Sequence, residues 1–160
     1  MRGMEEIVKL LDENLEYVKH EVTGDRITIW VKSAKKEVIC PYCGKPSKKV
    51  HSRYERSFQD LPIQGKKTTI VVIRRKMFCE NKECKKKTFA EPLDFVEPKF
   101  KRTKRLEKEI TNISMNMSSV QAAKLISKDI ADIGKSSICN LLKKNNPHDR
   151  QKESKKGKYR

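Results

Sequence analysis

Two short cysteine pairs, Cys40-Pro-Tyr-Cys43-Gly and Cys79-Glu-Asn-Lys-Glu-Cys84, bracket a segment that reads as paired strands. This pattern lets a small module bring four thiolates to one ion, and it predicts a zinc ribbon with Cys40, Cys43, Cys79 and Cys84 as ligands. In Cys40-x-x-Cys43 a tight turn aims both sulfurs at one point, and Gly44 supplies the backbone freedom for nearby amides to approach them. A site filled by four thiolates has no position open for catalytic water, so the metal argues for architecture. Disulfides or a redox pair are the alternative, and they fit poorly with a start, Met-Arg-Gly-Met-Glu-Glu, that is no signal peptide. His51 could replace a thiolate, but four cysteines already complete the coordination. Cys139, alone in Ile-Cys-Asn-Leu-Leu, reads as a half-buried helix residue. Metal binding is folding energy for so small a module, so chelation is expected to unfold residues 37–90 and leave the helices formed.

Charge decides between partners. The 160 residues carry 38 Lys and Arg against 21 Asp and Glu, a net of +17. Residues 1–34 hold 5 basic and 7 acidic groups, which leaves 33 basic against 14 acidic in the remainder. A middle and C-terminal part of that sign faces a polyanion, and double-stranded DNA is the expected partner. A lysine-rich solvated surface is the bland alternative. No run approaches eighteen apolar residues, and the basic runs lack the apolar interleaving of a membrane-surface helix, so a soluble cytoplasmic protein without a membrane partner is expected.

The fold class expected is α+β: an N-terminal helix and strands, a small zinc ribbon of antiparallel strands, and a C-terminal three-helix region of helix-turn-helix type. The divisions are 1–34 for the first helix and strand, 35–92 for the ribbon, 93–104 for a basic linker, 105–146 for the helices, and 147–160 for a disordered basic tail. Ile7, Leu10, Leu11, Leu15 and Val18 have helical spacing and predict a helix over residues 4–19. Arg26–Val31 alternates as a strand, with Trp30 as a core anchor. Thr68–Ile73 is the strongest strand and runs into Arg74-Arg75-Lys76, while Asp60-Leu-Pro-Ile-Gln-Gly65 reads as turn chemistry.

From Glu91 to Pro98 two prolines suggest an extended linker, and Lys99-Phe-Lys-Arg-Thr-Lys-Arg105 then places five cations in seven residues. Lys101, Arg102, Lys104 and Arg105 are candidate DNA contacts on a flexible arm that follows the phosphates or enters the minor groove. A first helix carries Leu106, Ile110 and Ile113. Ser118-Ser-Val-Gln121 has capping-box form and opens a second helix to about residue 126. A third runs over 135–145 with Ile138, Leu141 and Leu142 on one face. Ser136, Asn140 and Lys143 fall opposite that stripe, with Lys144 to one side and Lys135 near the N-terminus. These five are the candidate base and phosphate readers: Asn140 can bond an adenine edge in bidentate fashion, and the lysines can reach guanine or phosphate. Residues 127–133 make a longer connection than a helix-turn-helix usually has.

Together, Cys40-Pro-x-Cys43-Gly, His51-Ser-Arg-Tyr-x-Arg56, Asp60-Leu-Pro-Ile-Gln-Gly65, Arg75-Lys-x-Phe-Cys79-x-Asn-x-x-Cys84 and Thr88-Phe-Ala-Glu91 resemble the N-terminal zinc-binding region of insertion-sequence transposases of the ISL-three family. The resemblance implies a following helix-turn-helix and recognition of the terminal inverted repeats at the transposon ends. It also implies a downstream nuclease domain with three separated carboxylates, which this sequence lacks, so a truncated, non-catalytic, DNA-binding part is expected. Such a part could form a homodimer or a mixed dimer with full-length transposase. The alternatives are the N-terminal part of an active transposase completed by a downstream frame, and a zinc-ribbon module that binds RNA or protein.

Overall fold

The amphipathic start divides into two elements. Helix α1 covers Arg2–Leu11 and strand β1 covers Leu15–Thr23, so the helix expected to residue 19 ends eight residues early. An Asx turn separates them: the Asp12 carboxylate accepts from the Asn14 amide at 2.8 Å. Beyond it, Tyr17, Val18, Val22 and Thr23 favour strand, and an antiparallel partner is available in β2, Arg26–Ser33.

The computed structural model describes residues 2–145 and is an α+β fold. Short strands β3 (Val38–Ile39) and β4 (Pro46–Ser47) pair with each other. Strands β5 (Val50–Ile63) and β6 (Lys66–Phe78) form a long antiparallel hairpin, and β7 (Thr88–Ala90) pairs with the end of β6. The hairpin turns at Gln64 and Gly65, with φ of 52° and 71°, the left-handed pair that suits a two-residue turn. Asp60 is therefore not in the turn. It lies fully buried in β5, and Pro62 is tolerated where the ladder register shifts between Asp60 and Ile63.

The sheet order is β1-β2-β6-β5, with β2 parallel to β6. The expected boundary at residue 34 therefore does not divide two sheets, because β2 and β6 share one ladder. Ile27, Ile29 and Val31 stand beside Thr68, Ile70 and Val72, and with Phe58 they form one buried face. Val8 of α1 covers that face, as do Phe95 and Val96. The segment after the ribbon is thus a packed crossover and not a free linker; Phe95 meets Phe58 edge to face, with ring centroids 6.1 Å apart. Trp30, expected in the core, points to the other face by strand alternation. It is half-buried there beneath the Lys19 ammonium, 4.2 Å from the ring centroid.

Helices α2 (Lys104–Ser114), α3 (Ser119–Asp129) and α4 (Lys135–Asn145) enclose a second core of Leu106, Ile110, Ala122, Ile126, Ile138 and Leu141. Thr103 caps α2, and the Ser118 hydroxyl caps α3 by accepting from the Gln121 amide. Helix α3 continues past residue 126, so the connection to α4 is Ile130–Gly134, shorter than the sequence suggested. The tail 147–160 lies outside the described residues. Among the described residues no helix is long and apolar enough to cross a membrane.

The Arg74-Arg75-Lys76 run does not present three free cations. The Arg75 guanidinium forms a two-pronged pair with Glu91 at 2.9 and 2.8 Å and donates to Ser33 Oγ and the Lys35 carbonyl. Glu91 is buried and Arg75 largely so, with side chains 2% and 14% exposed. Burial pushes the Glu91 carboxyl up, but Arg75 and Ser33 outweigh it and hold it below its ordinary value. We expect Arg75→Met to cost about 3–5 kcal/mol in urea unfolding, the effect of leaving a buried carboxylate alone, and Arg75→Met with Glu91→Leu to recover most of it. Because the folded pKa of Glu91 is depressed, its contribution is present above the ordinary carboxylate range. It is lost as pH falls through the folded value, and Glu91→Gln should flatten that acid limb.

Candidate metal centre and nucleic-acid interface

The hairpin runs into the metal centre at its open end. The Cys40 amide bonds the Lys45 carbonyl, and the Gly44 amide bonds the Cys40 carbonyl, both at 2.9 Å, closing the first knuckle. Gly44 has φ of 73°, which a side chain would oppose. In the second knuckle the Cys84 amide bonds the Asn81 carbonyl at 3.1 Å, and the Asn81 side chain accepts from the Glu83 amide at 3.2 Å. That local turn spans the longer spacing. The Cys79 amide bonds the Lys87 carbonyl at 2.8 Å and closes the second knuckle, while Ser47 Oγ donates to the Phe78 carbonyl at 2.5 Å and the Lys48 amide to the Glu80 carboxylate at 3.1 Å, which ties the two knuckles to each other.

The Sγ atoms of Cys40, Cys43, Cys79 and Cys84 lie within 4.8 Å of one another. Zn–S bonds of about 2.3 Å in a tetrahedron place sulfurs roughly 3.8 Å apart, and the Cys43–Cys79 separation is 3.6 Å. The donor set fits one zinc ion. Proton sharing explains the opposite behaviour of two ligands. The Lys45 backbone hydrogen bond lowers the Cys43 thiol to about 6. The Asn81 backbone pulls Cys79 down, but burial and the neighbouring sulfurs outweigh it and push it up to about 12. A divalent cation removes this competition by stabilising all four thiolates. His51 is outside the cluster; its ring packs on Phe78, with centroids 4.8 Å apart. Cys139 is half-buried, its sulfur 3.4 Å from Ser119 Oγ.

Ordering replaces flexibility in the basic segment. The Gln59 amide bonds the Lys101 carbonyl at 2.9 Å, and the Thr103 amide bonds the Gln59 carbonyl at 3.0 Å, which fastens the segment beside β5. Arg105 is an ion-pair partner of Asp60, with Nε 2.8 Å from Oδ1, and Thr103 Oγ1 donates to the same carboxylate at 2.7 Å. Arg102 is 3.8 Å from Glu107 and Lys104 is 3.7 Å from Glu97. Lys101 is exposed. The expected arm is thus an anchored entry to α2, because its arginines meet carboxylates.

Helix α4 places its candidates together. Lys135, Ser136, Asn140, Lys143 and Lys144 are all exposed, while Ile138 and Leu141 are buried. The helix contains no acidic residue. Lys144 Nζ lies 4.2 Å from the Phe100 ring centroid. Sequence reading missed the fastening of the α3–α4 connection. Asp132 pairs with Arg26 at 2.8 Å and Lys67 at 3.0 Å, and its amide donates to Gln59 Oε1 at 2.6 Å. Hydrogen bonding from Lys67, and then from Arg26, holds the Asp132 carboxyl below its ordinary value. Only a contact map could supply such partners, since they are distant in sequence.

Residues 36–84 match the family model described as the zinc-finger of transposase IS204/IS1001/IS1096/IS1165. No curated protein matches the chain, and no solved structure does. The matched segment is similar to a transposase zinc ribbon, and its four cysteines are the site for one zinc ion.

The metal-end core of Val38, Met77 and Phe89 packs against the ligands, whereas Ile70 and Val72 belong to the separate sheet core. This confines the expected effect of chelation to the knuckles and not to residues 37–90 as a whole. In hydrogen exchange, zinc removal should release the Cys40, Gly44, Cys79 and Cys84 amides while Ile70 and Val72 stay protected. Cys43→Ser should give the same pattern and lose the bound zinc by metal analysis.

Proposed function

We propose that this chain is the DNA-binding part of a transposase and recognises the terminal inverted repeats of an insertion sequence. In this reading α3, the Ile130–Gly134 connection and α4 act as a helix-turn-helix, with α4 in the major groove. The observation that carries it is the outer face of α4. There Ser136, Asn140 and Lys143 are exposed together on a helix without acidic residues, opposite a buried apolar stripe. The likeness of residues 36–84 to a transposase zinc-finger supplies the protein class.

Inverted repeats are related by two-fold symmetry, so a homodimer, or a mixed dimer with full-length transposase, is the form that engages paired ends. The chain contributes binding and no strand cleavage. In support, Asp60, Glu91 and Asp132 are committed to ion pairs with Arg105, Arg75 and the Arg26–Lys67 pair. A zinc-bound soluble protein acting on cytoplasmic DNA follows from the same reading.

Selection from a random duplex library by zinc-loaded protein, at near-physiological salt, should converge on one motif. Asn140→Ala should then lose about 1–3 kcal/mol of preference at one adenine. Lys143→Ala should weaken all duplexes alike and reduce the salt slope by about 0.9. A pool that never converges, with affinity that collapses in salt, would overturn end recognition.

A further inference from the structure

A cleft of about 390 Å³ lies between the first zinc knuckle and the Leu93–Phe100 crossover. Its apolar floor is Phe58, Leu93 and Val96, and its walls carry Arg56, Arg74 and Lys99. Tyr42 stands at the rim with 61% of its surface exposed, large for an aromatic side chain. Its position between Cys40 and Cys43 fixes its backbone whenever the knuckle is closed, so its exposure costs little ordering. Phe100 forms the opposite boundary, and Lys144 of α4 stacks on that ring at 4.2 Å.

The cations are held, not merely nearby. Arg56 lies 5.6 Å from the Phe58 ring centroid, and Arg74 Nε donates to the Glu91 carbonyl at 2.7 Å. Lys99 has φ of 69°, an uncommon backbone state for a lysine. Acidic groups are present too: Asp94 and Glu97 line the cleft, and they sit 3.9 Å from Lys35 and 3.7 Å from Lys104. The lining holds four cations, Arg56, Arg74, Lys99 and Lys104, against these two carboxylates, and that excess attracts an anion.

An apolar slot with an exposed aromatic at its rim and guanidinium groups on one wall fits a planar base joined to a phosphate. We infer that this cleft binds one unpaired nucleotide of single-stranded DNA, with its base stacked on Tyr42 and its phosphate against Arg56 and Arg74. The inference rests on the DNA-binding reading and adds a second mode to it. Duplex engages α4, and an unpaired nucleotide beside that duplex enters the cleft, which α4 adjoins through Lys144 and Phe100.

The test uses the full zinc-loaded chain with a short oligothymidine carrying one central 2-aminopurine, and a blunt duplex measured in parallel. The fluorescent base should be quenched on binding. Tyr42→Ser should weaken single-strand binding about ten-fold, the loss of one base–aromatic stack, and Tyr42→Phe should retain it. Arg56→Gln, on β5 and outside both cysteine knuckles, should weaken it and lower its salt slope while blunt-duplex affinity stays within about two-fold. Zinc content reports whether Tyr42→Ser keeps its knuckle, and Arg56→Gln decides the matter if it does not. Undiminished quenching in the Tyr42→Ser and Arg56→Gln variants, or duplex binding without any single-strand binding, overturns the cleft and leaves the duplex-binding reading standing. Failure to bind either probe overturns both.

Discussion

A carboxylate with no access to water determines how the helices meet the sheet. Asp60 is fully buried, and a lone buried charge is too costly to persist. Its oxygens are met by Thr103 Oγ1 at 2.7 Å and by the Arg105 guanidinium, with Nε at 2.8 Å. Thr103 is also the N-cap of α2, so one side chain both satisfies Asp60 and starts the helix. The first helical turn is therefore positioned on β5 by an interaction that tolerates little displacement. Leu61, next in the strand, packs into the helical core beside it. Replacing the pair by apolar residues could retain stability, whereas removing only the arginine would strand the acid.

That junction is one end of a long element. Strand β6 has 13 residues, roughly 43 Å at strand rise. Its N-terminal part meets the helices, where Lys67 reaches the Ser127 carbonyl at 2.5 Å and Asp132 at 3.0 Å. Its C-terminal part runs into Cys79 and the metal. Between these ends the parallel partner β2 covers residues 67–73, and Arg75 with Glu91 closes the next stretch. Zinc thus stabilises the end of the hairpin that β2 and α1 do not cover, where the apolar core is only a few side chains.

The metal ligands were legible because their chemistry is local: a knuckle needs its two cysteines close in sequence, and Gly44 marks its turn. Helices α3 and α4 were legible for a similar reason, since caps and apolar periodicity are short-range. The Asp60–Gly65 stretch misled because Pro and Gly signal a turn, yet only Gln64 and Gly65 make it. Residues 15–19 misled because their apolar spacing fits a helix, and pairing with β2 overrode it. Trp30 reads as a core anchor in the sequence, but Ile29 and Val31 hold the buried face and strand parity points Trp30 to the other one. The partners of Arg105, Arg75 and Asp132 were beyond sequence reading, because each lies across the fold.

Those partners change the meaning of the net charge. A count of +17 treats every lysine and arginine as available to phosphate. Arg75 and Arg105 are instead paired with buried carboxylates, and Arg102 and Lys104 stand near Glu107 and Glu97. Releasing any of them to a phosphate would break an existing contact, and for the buried pairs that loss exceeds what one screened phosphate contact returns. Counterion release scales with the phosphates neutralised, so the cations open to a polyanion are the exposed lysines, Lys99 and Lys101 in the linker and Lys135, Lys143 and Lys144 on α4, and not the arginines that the fold has paired. Charge that locates a partner in a sequence can be charge that the fold has already used to hold itself together.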